Sequence, residues 1–275
     1  MKVTVLMENR SRREDLHCAH GLSLYIEAGE RKLLLDMGPD EKFIENAKIL
    51  GIDLAEVDTA FLSHGHYDHA GGLAAFCEVN SKAKIYMEKE AFGEYYSQRE
   101  EEKVFAGIDP ECMEKYRDRI VFSNGRTQLD PTVTLFSDVR GESAYVPLND
   151  GLLELRRGIF MQDDFRHEQN IIVTEGTKRV LFTGCAHRGI VNILRRCEEI
   201  LGRTPDAVIG GFHLSNIHTG ELPEGDLIDR VTDEFSKREC LCATGHCTGI
   251  AGHRVLHNVL GDRCKYLFCG KTIEI

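Results

Sequence analysis

The sequence is poor in several features that mark particular classes of protein. Only 6 of its 275 residues are proline and no Pro-rich or Ser/Gln-rich tract is present, while apolar residues make up 42% of the chain. This composition provides enough apolar surface for a core and excludes disordered and fibrous proteins. No apolar run approaches the roughly 18 to 20 residues that cross a bilayer, so we expect no membrane association.

Basic residues are also in deficit. The chain has 34 Lys and Arg against 45 Asp and Glu, which gives a formal net charge of −11. A protein that depends on a phosphate backbone for affinity is normally basic, so nucleic acid is a disfavoured partner. The G-x-x-x-x-G-K-[ST] and G-x-G-x-x-G motifs of nucleotide binding are absent.

The N-terminal segment lacks the apolar stretch of a secretory signal, because polar Glu8 follows only a short apolar run. We therefore expect a cytoplasmic protein. Its ten cysteines are then expected to be reduced thiols, some of them metal ligands, and not disulfides.

Two segments of the chain resemble each other. Residues 24–36 and 171–183 each contain an apolar run, a turn with Gly29 or Gly176, and a second apolar run, which predicts two β-hairpins. Each is followed by helical apolar spacing, over 43–50 and 190–201, and then by a buried strand, over 57–62 and 207–209. The alternative is that any α/β protein contains such coincidences.

A real duplication predicts two sheets packed face to face with helices outside, which is a four-layer αββα sandwich of the α/β (α+β) class. We expect one domain over residues 1–275 with pseudo-symmetric halves of about 1–150 and 151–275. Between the hairpins, residues 91–103 and 111–118 are predicted to be helical, and residues 120–135 and 152–160 to form strands.

The densest group of metal-binding side chains follows the strand predicted at 57–62. Four metal-capable residues fall within six positions: His64, His66, Asp68 and His69. Imidazole nitrogen and carboxylate oxygen suit zinc, iron or manganese. We expect the first two residues to bind one ion and the last two to bind a second ion.

The pattern H-x-H-x-D-H after an apolar strand resembles the signature of the metallo-β-lactamase superfamily, and the resemblance covers essentially the whole chain. It implies the αββα fold. Asp36, in Leu34-Leu35-Asp36, matches an acidic position that orients the ligand cluster in that superfamily.

A site for two metals needs further ligands. His187 lies at the end of the second hairpin and is assigned to the first metal, with the two histidines of H-x-H. His246 matches the last histidine of the superfamily and is assigned to the second metal, with the Asp-His pair. For both residues the alternative is a helix-capping or buried, hydrogen-bonded imidazole.

The chain departs from the superfamily at one position. Many members carry an aspartate that bridges the two metals after the strand corresponding to residues 180–183, where this chain has Gly184-Cys185. The bridge must then be hydroxide or the Cys185 thiolate. A ligand role and a buried, unligated thiol are equally open for Cys185.

Two other histidines are candidates for contact with substrate. His213 is offset from His66 by the same 147 residues as the hairpins, and we assign it proton transfer, together with Asp68, or contact with a substrate phosphate; local packing is equally open. His20, just before the first hairpin, is a weaker candidate for substrate binding. No functional role is assigned to His17, His167, His218, His253 and His257.

Five cysteines near the C-terminus match no standard ligand spacing and are expected to be buried structural thiols rather than a zinc or iron–sulfur site: Cys240, Cys242, Cys247, Cys264 and Cys269.

The expected reaction is hydrolysis of a small ester, lactone or phosphoester by metal-activated water. Two divalent ions are expected, with zinc as first choice and iron, manganese or magnesium as alternatives. His66 in place of Glu favours hydrolysis over the diiron oxygen reductases of the superfamily. The acidic charge disfavours its nucleases. The oligomeric state is left open, a homodimer included.

Several stretches resemble a narrower group that includes the dihydropterin ribofuranosylaminobenzene phosphate synthases: residues 20–23, 46–47, 50–54, 184–187, 189–192, 210–214 and 246–249. Such an activity would make the chain a transferase. A third alternative is a metal-binding sensor without turnover, which the intact ligand set disfavours.

Overall fold

A computed structural model describes residues 1–141, 146–216 and 219–275. The strands of these residues are β1 Lys2–Met7, β2 Ser23–Ala28, β3 Arg31–Leu35, β4 Thr59–Phe61, β5 Lys84–Glu88, β6 Tyr95–Arg99, β7 Glu102–Phe105, β8 Ile120–Ser123, β9 Arg126–Gln128, β10 Val133–Phe136, β11 Leu152–Arg156, β12 Ile159–Gln162, β13 Asn170–Glu175, β14 Lys178–Phe182, β15 Ala207–Gly210, β16 Leu241–Thr244, β17 Cys264–Tyr266 and β18 Thr272–Glu274. The α-helices are α1 Lys42–Ile49, α2 Tyr67–Ala70, α3 Leu73–Val79, α4 Pro110–Lys115, α5 Ile190–Leu201, α6 Leu227–Ser236 and α7 Gly249–Leu260.

The chain divides into two compact units. The first unit comprises residues 1–124, 151–169 and 268–274, and the second comprises 125–150, 170–267 and 275. The units therefore interleave along the sequence and do not coincide with the expected halves. Organisation as a single domain stays a prediction.

The first unit contains a seven-stranded sheet in the order β18-β1-β2-β3-β4-β5-β8. Strands β2 and β3 form the first predicted hairpin, and β3, β4, β5 and β8 run parallel. Alternate strand residues such as Leu34 and Ile85 share a buried cluster with Phe43 of α1 and Phe76 of α3. Burial of each such side chain is worth about 1.5–3 kcal/mol, and it fixes the helices against this sheet. Because β3 and β4 run parallel, the chain segments that follow them leave the sheet at the same edge.

A second sheet of the first unit has the order β12-β11-β6-β7. The helix predicted over 91–103 is wrong, because these residues end in strand β6 and the start of strand β7. The charged run that suggested a helix lies in the connecting turn, where Glu100 has a positive φ of 52°. Strand β6 pairs with β11, more than fifty residues away, and sequence periodicity contains no information on such a partner.

The second unit contains a seven-stranded sheet in the order β17-β16-β15-β14-β13-β10-β9. Strands β13 and β14 form the second predicted hairpin, and β14, β15, β16 and β17 run parallel. Leu181 and Val208 of the sheet share a buried cluster with Leu194 of α5 and Phe235 of α6. The order hairpin, helix, parallel strand thus occurs in both units, as the internal resemblance predicts.

The remaining expectations concern smaller elements. The helix expected over 111–118 is α4, and the strands expected over 120–135 and 152–160 are the shorter strands β8 to β10 and β11 to β12. Within the described part of the chain, none of the helices combines the length and apolar character required to span a membrane.

Candidate metal centre

The four residues of the H-x-H-x-D-H motif lie together in the first unit. Strand β4 ends at Phe61 and is followed by the motif turn, and helix α2 then carries Asp68 and His69. All four motif side chains are buried. The His64 ring lies 4.7 Å from the His66 ring and 4.2 Å from the His69 ring, between centroids. The four side chains are therefore neighbours in the first unit, and their roles as metal ligands stay a prediction.

Asp36 organises this group from the end of the neighbouring strand β3. Its Oδ1 accepts a hydrogen bond of 2.7 Å from the Ser63 backbone N–H, and its Oδ2 accepts 2.7 Å from the Ser63 hydroxyl and 2.6 Å from His69 Nδ1. Ser63 Oγ also lies 2.8 Å from His64 Nδ1. Because the hydroxyl proton goes to Asp36, this oxygen accepts from His64 Nδ1–H. Both rings then present Nε2 to a metal, the arrangement found where outer groups orient histidine ligands.

The charge of this group favours a cation. Burial lowers the pKa of His69, but the carboxylates of Asp68 and Asp36 outweigh it and raise that pKa to about 10. Asp68 Oδ2 lies 3.4 Å from His69 Nε2. Burial lowers the pKa of His66, which keeps this ring in the neutral form that binds metal. The neutral His66 ring and the buried carboxylates suit a divalent ion, and binding of that ion through His69 would release the proton from this ring.

His20, the substrate-binding candidate, lies beside Asp68. Its Nε2 is 3.3 Å from Asp68 Oδ2, and its Nδ1 is 3.3 Å from the Asn9 amide nitrogen. The His20 side chain is 30% exposed, against 9% for Asp68. It is therefore accessible to a molecule that approaches Asp68, and its role stays a prediction.

His167 and Asp163 belong to the same unit and were missed by the sequence analysis, which gave His167 no role. His167 is fully buried; its Nδ1 accepts 2.9 Å from the Gly65 N–H and its Nε2 donates 3.0 Å to Asp163 Oδ2. The same carboxylate oxygen lies 3.7 Å from His66 Nε2. His167 thus connects the motif turn to a buried carboxylate.

A signal for His167 existed in the sequence. The offset of 147 residues that relates the two hairpins places His167 opposite His20. Each histidine lies just before the first strand of its hairpin. Desolvation raises the pKa of Asp163, but His167 and His66 outweigh it and hold that pKa well below its usual value.

The predicted residues of the second half lie at the ends of its parallel strands. Cys185 and His187 follow β14, His213 follows β15, and His246 follows β16. A ligand atom of Cys185 lies within 4.8 Å of one on His187, on His213, on His246 and on Cys247. The second unit therefore groups the predicted second-half donors around one thiol.

Asn149 fixes His187 and was also missed by the sequence analysis. Its Oδ1 accepts 2.9 Å from His187 Nδ1, and its amide nitrogen donates 2.8 Å to the His187 carbonyl. This leaves Nε2 of His187 as the nitrogen for ligation. The His187 and His213 rings lie 4.4 Å apart between centroids; the proton-transfer role of His213 stays a prediction.

The C-terminal cysteines divide into two sets. Cys240, Cys242 and Cys264 are buried in the second sheet, with the Cys242 and Cys264 Sγ atoms 3.9 Å apart, and burial raises the pKa of Cys240 to about 11. These positions agree with structural thiols. Cys247 differs, because it lies among the predicted site residues. Burial would raise its pKa, but contacts with Cys185, His246 and His213 lower it well below the usual value.

The other histidines without an assigned role are described by contacts outside these groups. His17 pairs with Glu45 at 2.8 Å on the surface, and His253 and His257 stack on α7 at 5.6 Å. His218 lies outside the described residues.

Residues 18–214 match the model of the Metallo-beta-lactamase superfamily. The chain belongs to this superfamily. The resemblance seen in the H-x-H-x-D-H motif and the metallo-β-lactamase fold expected from it are confirmed. The fold implies binding of divalent metal, for which the histidine, aspartate and cysteine groups provide donors.

Relatives in the superfamily have different activities. The chain is 27% identical over 268 residues to the 7,8-dihydropterin-6-methyl-4-(beta-D-ribofuranosyl)-aminobenzene-5'-phosphate synthase of Methanocaldococcus jannaschii, covering 93% of this chain and 90% of that protein. It also resembles the crystal structure of a metal-dependent hydrolase of the beta-lactamase superfamily, with TM-score 0.80, 27% identity and coverage of 100% and 99%. Zn(2+)-bound PqqB from Methylobacterium extorquens shares the fold at TM-score 0.55 and 14% identity, over 100% of both chains.

Proposed function

We propose that this chain is a metal-dependent hydrolase of a small ester, lactone or phosphoester, with a dinuclear site. The observation that carries the proposal is the Asp36 network, in which one buried carboxylate orients His69 directly and His64 through Ser63. Outer contacts of this kind fix the tautomer and the orientation of histidine ligands at metal sites.

The proposed ligands are those of the motif analysis: His64, His66, Asp68, His69, His187 and His246, with Cys185 in the position of the bridging aspartate. Divalent ions, zinc in the first place, supply Lewis-acid chemistry that activates water against such substrates. The protein's own groups hold that chemistry in place: Asp36 keeps the histidine tautomers, and Asp68 provides negative charge. His20 is positioned beside Asp68 to contact the substrate.

Turnover of a panel of phosphomonoesters, phosphodiesters and lactones tests the proposal. Activity should appear with added Zn²⁺ or Mn²⁺ and be abolished in His66→Ala, which removes a proposed ligand. His17→Ala is the matched control, since the His17 side chain lies on the surface and pairs with Glu45. Activity that persists in His66→Ala would contradict the assignment.

A synthase activity is a second candidate, favoured by the 27% identity to the phosphate synthase over nearly the whole chain. A transferase of this kind would form the product in that relative's name and would not hydrolyse simple esters. Mass-spectrometric detection of that product, with the same His66→Ala and His17→Ala pair, separates the two candidates. Metal binding without turnover in either assay would instead indicate a sensor.

A further inference from the structure

Three side chains of the second unit, two thiols and one imidazole, lie together in a group that the sequence analysis did not predict. Cys185, His213 and Cys247 are buried, and their ligand atoms all lie within 4.8 Å of one another. They follow β14, β15 and β16, three adjacent parallel strands. The carboxyl ends of such strands meet at one edge of a sheet, so a rigid framework holds the three positions.

The backbone around Cys247 is built to accept its sulfur. The His213 backbone N–H donates to Cys247 Sγ at 3.3 Å, a contact that stabilises negative charge on sulfur. A Cβ on Gly211 would lie 2.6 Å from the same Sγ, so glycine is required to leave room for the thiol. His213 and His246 both adopt positive φ, 49° and 51°, a conformation that non-glycine residues keep only where surrounding structure enforces it.

We propose that Cys185, Cys247 and His213 bind a thiophilic divalent cation of the zinc class through two thiolates and one imidazole. Zinc binds sulfur at about 2.3 Å and imidazole nitrogen at about 2.0–2.1 Å, so ligand atoms around one tetrahedral ion lie about 3.4 to 3.8 Å apart. The separations in this group, at most 4.8 Å, exceed those values by little more than about 1 Å at most. Thiolate and imidazole together select zinc, cobalt or cadmium over magnesium and calcium.

This assignment goes beyond the proposed function. Cys247 and His213 have no place among the ligands proposed for hydrolysis, and the three residues lie within one unit. His213 acts here as a ligand and not as the proton-transfer group expected from the sequence. Cys185 is common to both proposals, so the test must depend on Cys247 and His213.

Cobalt(II) is the probe, because thiolate coordination gives it a ligand-to-metal charge-transfer absorption that oxygen and nitrogen ligands do not. The full chain, freed of metal with a chelator, is titrated with Co²⁺ alone. We expect this absorption in the unmodified chain, a weaker one in Cys247→Ser and in Cys185→Ser, and its loss in the double variant. Cys242→Ser is the matched control: its thiol is buried in the same sheet beside Cys264, and the absorption should be unchanged.

Three outcomes overturn the proposal: absence of the absorption in the unmodified chain, an undiminished absorption in Cys247→Ser, or equal weakening in Cys242→Ser. For His213→Gln we expect a shift of the visible cobalt bands, and an unchanged spectrum overturns the ligand role of this imidazole. Neither readout requires turnover, so failure here is distinct from failure of the hydrolase assay.

A second measurement needs no variant and therefore still tests the proposal if a cysteine variant fails to fold. Cadmium-113 NMR of the unmodified chain reports directly on sulfur ligands, because two thiolates shift the resonance far downfield of a site with nitrogen and oxygen ligands only. A resonance in the two-thiolate region supports the proposal. Resonances confined to the nitrogen and oxygen region contradict it.

Discussion

At the scale of single residues, Asp36 orients two side chains of the candidate site, Ser63 and His69. It adopts a positive φ of 59° directly after β3, a conformation that aspartate tolerates better than most residues. From there its two oxygens accept three hydrogen bonds, from two groups of Ser63 and from His69. A fully buried carboxylate satisfied in this way is costly to replace.

Replacement of Asp36 by asparagine should weaken metal binding by about 10–100-fold, the usual effect of removing an outer partner of a histidine ligand. The amide keeps the size of the carboxylate but turns one acceptor into a donor that faces other donors. Competition titration with a zinc indicator measures the change. Asp40→Asn is the control, since Asp40 contacts Lys42 near the surface; equal affinities in the two variants would contradict the role of Asp36.

The raised pKa of His69 predicts a pH-dependent stability of the metal-free chain. The pKa is raised from 6.5 to about 10 in the folded protein, so protonated His69 stabilises the fold fully below pH 6.5. This contribution is lost as the pH rises through the folded pKa near 10. Urea unfolding in the presence of a chelator should show stability falling over this range.

His69→Gln is the comparison for the pH experiment, because it removes the titrating ring. Its free energy of unfolding should fall less steeply over the same range. Parallel pH profiles for the two proteins would assign the dependence to other groups.

At the scale of elements, the candidate metal-binding side chains lie in or next to tight turns that follow parallel strands. The turn after β4 contains Gly65, whose N–H donates to His167. A Cβ at Gly65 would lie 2.2 Å from the Ala91 carbonyl oxygen. The turn therefore lies directly against the Ala91 backbone, and this close approach helps to determine where His64 and His66 lie.

Gly65→Ala should destabilise the chain by about 1–3 kcal/mol, as overpacking does, and should also weaken metal binding because the two flanking histidines move. Gly176→Ala is the control: Gly176 lies in the turn of the β13–β14 hairpin with a φ of +56° and open space around it. We expect about 1 kcal/mol of destabilisation there and unchanged metal affinity. Urea unfolding and zinc titration compare the two variants, and an equal loss of metal affinity would contradict the argument.

At the scale of the whole molecule, the number of metals is the decisive quantity. The chain has donors for more than one ion but lacks the bridging aspartate of many relatives. Elemental mass spectrometry on protein purified without added metal or chelator should find at least about two equivalents, as in dinuclear hydrolases; an ion on Cys185, Cys247 and His213 would add to this number. His246→Ala should reduce the total by about one equivalent, and His17→Ala should leave it unchanged. One equivalent in all three proteins would contradict the dinuclear site.

The absence of nucleic-acid binding and the cytoplasmic location stay predictions at this scale. The net charge of −11 remains the argument against nucleic acid.

Local patterns in the sequence predicted much of the fold. Both hairpins form, and helix α5 spans the predicted residues 190–201, because their apolar spacing and glycine turns act over short distances. Residues 91–103 were predicted wrongly as a helix, since their strands depend on pairing with residues 152–154. The helical propensity of a charged segment does not outweigh the stabilisation that the segment gains by pairing with a strand distant in sequence.

The sequence by itself determined the superfamily, the H-x-H-x-D-H donors and the hairpin order, because each is written in contiguous residues. Only the tertiary structure decided that Asp163 and His167 support the motif turn, that Asn149 fixes His187, and that Cys247 joins Cys185 and His213. These partners come from segments separated by dozens of residues. The 147-residue offset could single out His167 as a residue, but spacing along a chain does not report which groups a side chain contacts, because strand order and packing create those contacts only when the sheets form.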